Sequence, residues 1–163
     1  MSIKQNIVFG LIFLSIVTVL YYLYYNQNEN SYLPNKWQNV IFQKFENCKN
    51  ATEDVQEIIE NLSTLFNGVF YDKHFSLCVF KEKIYCLNSK VYKINNVSFV
   101  YFDQICMIQD NFSKRDAFLI LDYNISREIK NINDIIKFYN NGYIFTNDKN
   151  LIKALEQSIE YQR

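Results

Sequence analysis

The sequence predicts an α+β fold: an N-terminal transmembrane helix, then two helices, an antiparallel β meander and a C-terminal βαβα unit. Three observations predict it. Nineteen uncharged residues, IVFGLIFLSIVTVLYYLYY, run from Ile7 to Tyr25. Apolar residues between Asn50 and Phe66 recur at helical spacing. After Gly68 the apolar period drops to two, and strand-like and helix-like runs then alternate to the C-terminus.

The first run is read as a membrane anchor. As a helix at roughly 1.5 Å per residue it reaches about 28 Å, close to the thickness of a bilayer core. Tyr21, Tyr22, Tyr24 and Tyr25 cluster at its end, as aromatics do at the headgroup level. A cleaved signal peptide has a shorter apolar region and a small-x-small site, whereas YYLYYNQNEN is bulky and then polar. Lys4 precedes the run and Glu29 and Lys36 follow it, which places the N-terminus inside and the C-terminal domain outside. The expected organisation is a short internal segment (1–6), the anchor (7–25), a polar stalk holding the single proline (26–35) and an ectodomain (36–163).

Within the ectodomain, Trp37, Val40, Ile41 and Phe45 define one face of a first helix over Lys36–Phe45. The second helix opens at Asn50 with Glu53 three residues later, a capping-box spacing, and carries Val55, Ile58, Ile59, Leu62, Leu65 and Phe66 on one side. Asn67-Gly68 ends it, with glycine suited to the left-handed C′ position. VFYD, FSLCVF, IYCL, VYKI and VSFVYF follow as short strands of a meander between Val69 and Phe102, separated by polar turns. A short helix is expected over Asp103–Ile108. AFLILDY (117–123) reads as a buried strand, Ser126–Tyr139 as a helix stopped by Asn140-Asn141-Gly142, YIFT (143–146) as a strand parallel to the first, and Asp148–Tyr161 as the last helix.

All four cysteines, Cys48, Cys78, Cys86 and Cys106, follow the anchor, so an oxidising outer space predicts two disulfides. Three connectivities are open. A turn centred on Glu82 sets Cys78 opposite Cys86, which favours Cys78–Cys86 with Cys48–Cys106. The spacings of 30, 8 and 20 lack the CxxC pairs of a zinc site. Five glycosylation sequons, at Asn50, Asn61, Asn96, Asn111 and Asn124, all fall in the same region. Chance supplies about two in a chain this rich in asparagine.

Composition removes several function classes. Ile, Lys, Asn, Tyr and Phe make up 82 of 163 residues, an AT-rich codon signature rather than evidence of function. Three scattered glycines cannot build a phosphate-cradling loop, and one histidine, His74, cannot build a His-rich metal site. Lys+Arg 17 against Asp+Glu 17 leaves no basic excess for nucleic acid. No cofactor is expected.

Candidate chemistry is sparse. Asp122 and Asp148 close the two strands expected to be parallel, where open α/β sheets place ligands. LILDYN and IFTNDKNL echo phrases of PIN-type nucleases, but there the phrases lie near opposite ends of the domain and here about 25 residues separate them. A turn aspartate and a helix N-cap are the plainer readings. His74 and Cys78 are roughly 13 Å apart along an extended strand, out of reach as a base and thiol pair. More telling is the aromatic content of the meander: Phe70, Tyr71, Phe75, Phe80, Tyr85, Tyr92, Phe99, Tyr101 and Phe102 exceed what one face of a small sheet buries, and the surplus is expected to form a contact face.

The layout of anchor, four cysteines and compact ectodomain resembles small N-anchored envelope proteins of large DNA viruses. The parallels are subunits of the baculovirus per os infectivity complex and of the poxvirus entry–fusion complex. That resemblance implies a non-enzymatic binding or assembly subunit of a virion envelope, needed for host-cell entry or oral infectivity, bound to the bilayer through residues 7–25 and to other membrane or envelope proteins. It includes no alignable motif and carries over no functional residue. Two other readings remain: a cellular membrane-anchored structural or adhesion protein, and a membrane-tethered metal-dependent hydrolase using Asp122 and Asp148.

Overall fold

The computed structural model describes residues 35–103, 105–107 and 112–161. The chain divides into two units, Met1–Gln38 and Asn39–Arg163. In the first, the described part is a single helical turn, α1 (Asn35–Gln38), in which Lys36 Nζ lies 5.4 Å from the Trp37 ring. The expected anchor and stalk lie outside the described residues, apart from Asn35. Among the described residues no helix is long and apolar enough to cross a membrane.

The second unit is mixed α and β. Its elements are β1 (Phe45–Asn47), a 3-10 turn (Cys48–Asn50), α2 (Glu53–Phe66), β2 (Phe75–Phe80), β3 (Ile84–Asn88), β4 (Lys90–Ile94) and β5 (Val97–Tyr101), then β6 (Ala117–Asp122), α3 (Tyr123–Ser126), α4 (Ile132–Asn140), β7 (Ile144–Thr146) and α5 (Lys149–Tyr161). Five strands form one sheet in the order β1-β3-β2-β6-β7, and β4 and β5 form a separate hairpin.

The expected first helix stops at Gln38, and Phe45 belongs to β1 instead. Pairing with Ile84 in a parallel register buries Phe45 and wins over another helical turn. The second helix runs as its periodicity requires, burying Val55, Ile59, Leu62 and Phe66. Its N-cap is Thr52 rather than Asn50. Gly68, at φ 84, supplies the left-handed residue after it. No helix forms over the described part of Asp103–Ile108; Cys106 and Met107 lie in a turn.

The meander is broken in two. β2 and β3 pair as an antiparallel hairpin, with Cys78 opposite Cys86. Only Ser89 separates β3 from β4, and a reversal needs at least about two turn residues, so β4 cannot fold back onto β3. Ser89 instead closes the last rung of the sheet. Its N–H donates to the Phe75 carbonyl at 2.9 Å, and its Oγ accepts from the Phe75 N–H at 2.8 Å. The chain then leaves the sheet to form the β4–β5 hairpin. Its two-residue turn is Asn95-Asn96, both at positive φ (49 and 64), which asparagine tolerates. VFYD is not a strand; only Phe70 bridges to Phe99.

The C-terminal unit is also corrected. β6 and β7 are antiparallel, with Leu119 opposite Thr146 and Leu121 opposite Ile144. The helix expected over Ser126–Tyr139 starts later, at Ile132, from the N-cap Asn131, which with Asp134 forms a capping box; a separate short helix, α3, precedes it and ends at Ser126. The connection between β6 and β7 holds two separate helices joined by residues 127–131, not the single crossover helix of a βαβ unit. β6 finds its parallel partner in β2, with Leu77 beside Leu119.

Two faces of the sheet are buried. On one, α2, Ile135 of α4 and Leu151, Ile152 and Leu155 of α5 pack with Phe75, Leu77, Val79, Leu87, Leu119 and Leu121. Each such aliphatic side chain contributes about 1.5–3 kcal/mol by leaving water. The other face holds Ser76, Cys78, Ile84, Cys86, Phe118 and Ile120, all buried as well. Burial on both faces explains why FSLCVF and AFLILD read as continuous apolar runs rather than alternating ones.

Candidate interaction surface

The β4–β5 hairpin inverts the usual arrangement of a surface ribbon. Lys90 pairs with Tyr101, Tyr92 with Phe99 and Ile94 with Val97, so these six share one face. Val91, Lys93, Ser98 and Val100 share the other. Val100 is fully buried in the core beneath α2, which makes the second face the inner one. The outer face therefore carries Tyr92, Ile94, Val97, Phe99 and Tyr101, with one lysine. Ile94 is 62% exposed, Tyr92 and Tyr101 are each 46% exposed and Val97 is 42% exposed.

Rings extend this face beyond the hairpin. Tyr92 and Tyr101 meet edge to face at 5.9 Å. Phe99 meets Phe70 in a tilted contact at 5.0 Å, and Phe70 meets Tyr161 at the end of α5 at 5.5 Å. Gly68, Tyr92, Lys93, Ile94, Phe99, Tyr101 and Asp103 line a shallow, mostly apolar concavity of ≈ 510 Å³ there. At its rim Asp103 accepts from Lys90 Nζ at 2.8 Å and from the Tyr92 hydroxyl at 2.9 Å. Burial pushes the Asp103 carboxyl up, but hydrogen bonds from Lys90 and Tyr92 outweigh it and hold it below its usual value. The Tyr92 side chain is thereby tied at its hydroxyl to Asp103 and at its ring to Tyr101.

Below the hairpin, the chain is tied to the core. Phe102, the residue after β5, packs on Phe75 at 5.4 Å and Phe66 at 6.3 Å, while its N–H donates to Asn67 Oδ1 at 2.8 Å. Four residues on, Cys106 is disulfide-bonded to Cys48 and donates its N–H to Glu60 Oε1 at 2.8 Å. Cys78 is bonded to Cys86 across β2 and β3, and no described cysteine is free. This is the connectivity that the turn at Glu82 favours.

Of the nine meander aromatics, the structure buries Tyr71, Phe75 and Phe102, half-buries Phe70, Phe80, Tyr85 and Phe99, and exposes Tyr92 and Tyr101. Asn50, Asn61, Asn96 and Asn124 are exposed, and Asn111 lies outside the described residues. His74 is exposed, with Nδ1 3.2 Å from the Ser89 carbonyl. Cys78 is a disulfide partner, so the pair holds no thiol nucleophile.

Asp122 and Asp148 are not brought together. The β6–β7 register sets them at opposite ends of the strand pair, about 17 Å apart at roughly 3.4 Å per residue. Asp122 caps α3 by accepting from the Asn124 N–H, and Asp148 accepts from the Asn150 N–H at the start of α5. Asp148 also accepts from Lys73 Nζ at 2.7 Å and Tyr71 Oη at 3.0 Å. Burial and this bond push the Tyr71 hydroxyl well above its ordinary value. Among the described residues, no three His, Cys, Asp or Glu side chains cluster to hold a metal ion.

A second concavity, ≈ 510 Å³, lies between α2 and the α3 segment, lined by Asp54, Glu57, Asn61, Tyr123, Arg127 and Lys130 among others. Hydrogen bonds from Thr52, Tyr123 and Lys81 hold the Asp54 carboxyl far below its usual range. Asp54 accepts from Thr52, Lys81 and Tyr123, which suits a tie between α2 and α3. Sequence reasoning missed it, because Asp54, Lys81 and Tyr123 are far apart along the chain.

The chain matches no protein-family model, and no curated protein and no solved structure is significantly similar to it.

Proposed function

We propose that this protein is a single-pass, membrane-anchored, disulfide-bonded subunit that binds a partner protein through the outer face of the β4–β5 hairpin. The observation that carries the reading is that face: five of its six side chains are apolar or aromatic, on a ribbon whose inner side is fixed to the core. Tyr and Phe are the residue types enriched where proteins dock, and isolated exposed apolar residues do not form a continuous ring array. The paired cysteines support an oxidising outer compartment for the ectodomain. The layout of anchor and ectodomain supports placing the subunit in a virion envelope complex that acts in host-cell entry, without catalysis of its own.

The test is co-purification of the full chain from detergent-solubilised membranes, beside the variant carrying Tyr92→Ala and Tyr101→Ala. A specific envelope or membrane protein is expected with the unaltered chain and is expected to be lost from the variant, which still folds and keeps both disulfides. Equal recovery with both proteins overturns the reading. For the viral role, deletion is expected to abolish infectivity, and virions that infect normally without the protein contradict it.

A further inference from the structure

The docking face adjoins an open strand edge, and the backbone pattern shows which groups that edge presents. Val100 spends both of its backbone groups on the segment before it: its N–H donates to the Val69 carbonyl and its carbonyl accepts from the Gly68 N–H, each at 2.9 Å. In an antiparallel ladder a residue's N–H and C=O point the same way, so Val100 faces away from β4. Its partner Val91 must then turn its own N–H and C=O outward, and by alternation so does Lys93. Tyr92 and Ile94 are the residues bonded to β5. No strand among the described residues lies along the outer edge of β4, and four of its five residues are exposed.

We propose that this edge takes an extended strand of the partner, alternating apolar and acidic residues, by β-strand addition to Val91 and Lys93. This rests on the docking-face reading above and names the form the partner takes there. Two backbone donors and two acceptors, spaced for a β ladder, supply the alignment. Apolar side chains of the incoming strand lie on the outer face beside Tyr92 and Ile94. Those on the inner side meet Lys93, whose ammonium has no hydrogen bond or ion pair among the described residues, in a concavity that Lys153 and one acid, Asp72, also line. Lys90 is neutralised by Asp103, so Lys93 sets the preference, favouring an acidic strand and repelling a basic one. Lys93 also disfavours a second copy, because antiparallel self-pairing about Tyr92 sets the two Lys93 side chains diagonally on one face.

The probe is a blocked seven-residue peptide, Val-Glu-Val-Glu-Val-Glu-Val, added to the full chain in detergent micelles while amide hydrogen exchange is followed residue by residue. Exchange at Val91 and Lys93 is expected to slow about tenfold, with Tyr92 and Ile94, already bonded to β5, little changed. The valine–lysine counterpart is expected to do nothing. Val91→Pro removes one outward N–H without touching the β5 ladder and is expected to abolish the slowing. Lys93→Glu leaves the backbone intact and is expected to exchange the preference, taking the valine–lysine peptide instead.

Four results overturn the proposal: no slowing with the acidic peptide, slowing that survives Val91→Pro, no change of preference in Lys93→Glu, or slowing that grows with protein concentration alone, which signals self-pairing. If the tyrosine variant loses its co-purified protein while Val91→Pro keeps it, the docking face stands and strand addition fails.

Discussion

β2 buries five of its six residues, whereas β4 buries none of its five, although the two strands lie ten residues apart in one aromatic-rich run. β2 sits at the centre of a sheet, paired on both edges and packed on both faces. β4 pairs on one edge only, and the face it shows to solvent is the more apolar one. The difference comes from a single junction: Ser89 is too short a link to reverse the chain, so β4 departs from the sheet rather than extending it. Composition follows the split: β2 carries no charge, whereas β4 carries Lys90 and Lys93. What separates a core strand from a docking strand here is the layer it joins.

The largest effect that would sharpen this contrast is loss of the disulfide that holds the hairpin's exit to the core. Replacing Cys48 and Cys106 by serine is expected to destabilise by about 4 kcal/mol, because the bridge closes a 58-residue separation. Removing Cys78–Cys86, with a separation of 8, is expected to cost about 2.5 kcal/mol. Urea unfolding of the two double variants measures the order, and a reversed order means that loop closure does not govern these bridges.

Next comes the direct comparison of the two regions. Leu119→Ala empties a fully buried site facing α2 and α5 and is expected to cost about 3 kcal/mol, while Tyr92→Ala stays within about 0.5 kcal/mol. If Tyr92→Ala destabilises as much as Leu119→Ala, the outer face is structural and the docking account fails.

A smaller effect belongs to the turn. Asn95→Val forces a β-branched residue into positive φ and is expected to cost about 1 kcal/mol. Hydrogen exchange should rise across β4 and β5 while β2 and β6 stay protected.

The smallest effect is acid sensitivity. The Asp148 carboxyl is pushed up by burial and more strongly down by Lys73, the Asn150 N–H and Tyr71, for a net fall below 3.8. A carboxylate depressed in the folded state stabilises above its unfolded value and loses that stabilisation as pH falls through the folded one. Urea midpoints should therefore drop as the pH falls below about 4, and less steeply in Asp148→Asn. An unchanged slope would mean that the Lys73–Asp148 contact is too exposed to matter.

Much of this fold is legible in the sequence, and where it is not the reason is physical. The 3.6-residue apolar spacing marks α2 and α5, and polar punctuation marks β2, β3, β4, β5 and β6. Pairing is another matter. Nothing in the local pattern separates a reversal at Asn88-Ser89-Lys90 from a departure, because the deciding contact is between Ser89 and Phe75, fourteen residues earlier. The direction of β7 is equally silent, since it is set by pairing with β6 across more than twenty residues of chain. Phe45 is recruited to β1 by β3, which comes almost forty residues later. For the docking face, aromatic surplus announces that some rings must remain outside, but only the register of β4 with β5 tells that they are Tyr92 and Tyr101.

The most direct test is photo-crosslinking on intact membranes from a photoreactive residue placed at position 92, with position 82, in the exposed turn between β2 and β3, as the control. The account predicts one discrete protein adduct from position 92, absent from position 82 and suppressed by Val91→Pro. No adduct at position 92, or the same adducts from both positions, would contradict it.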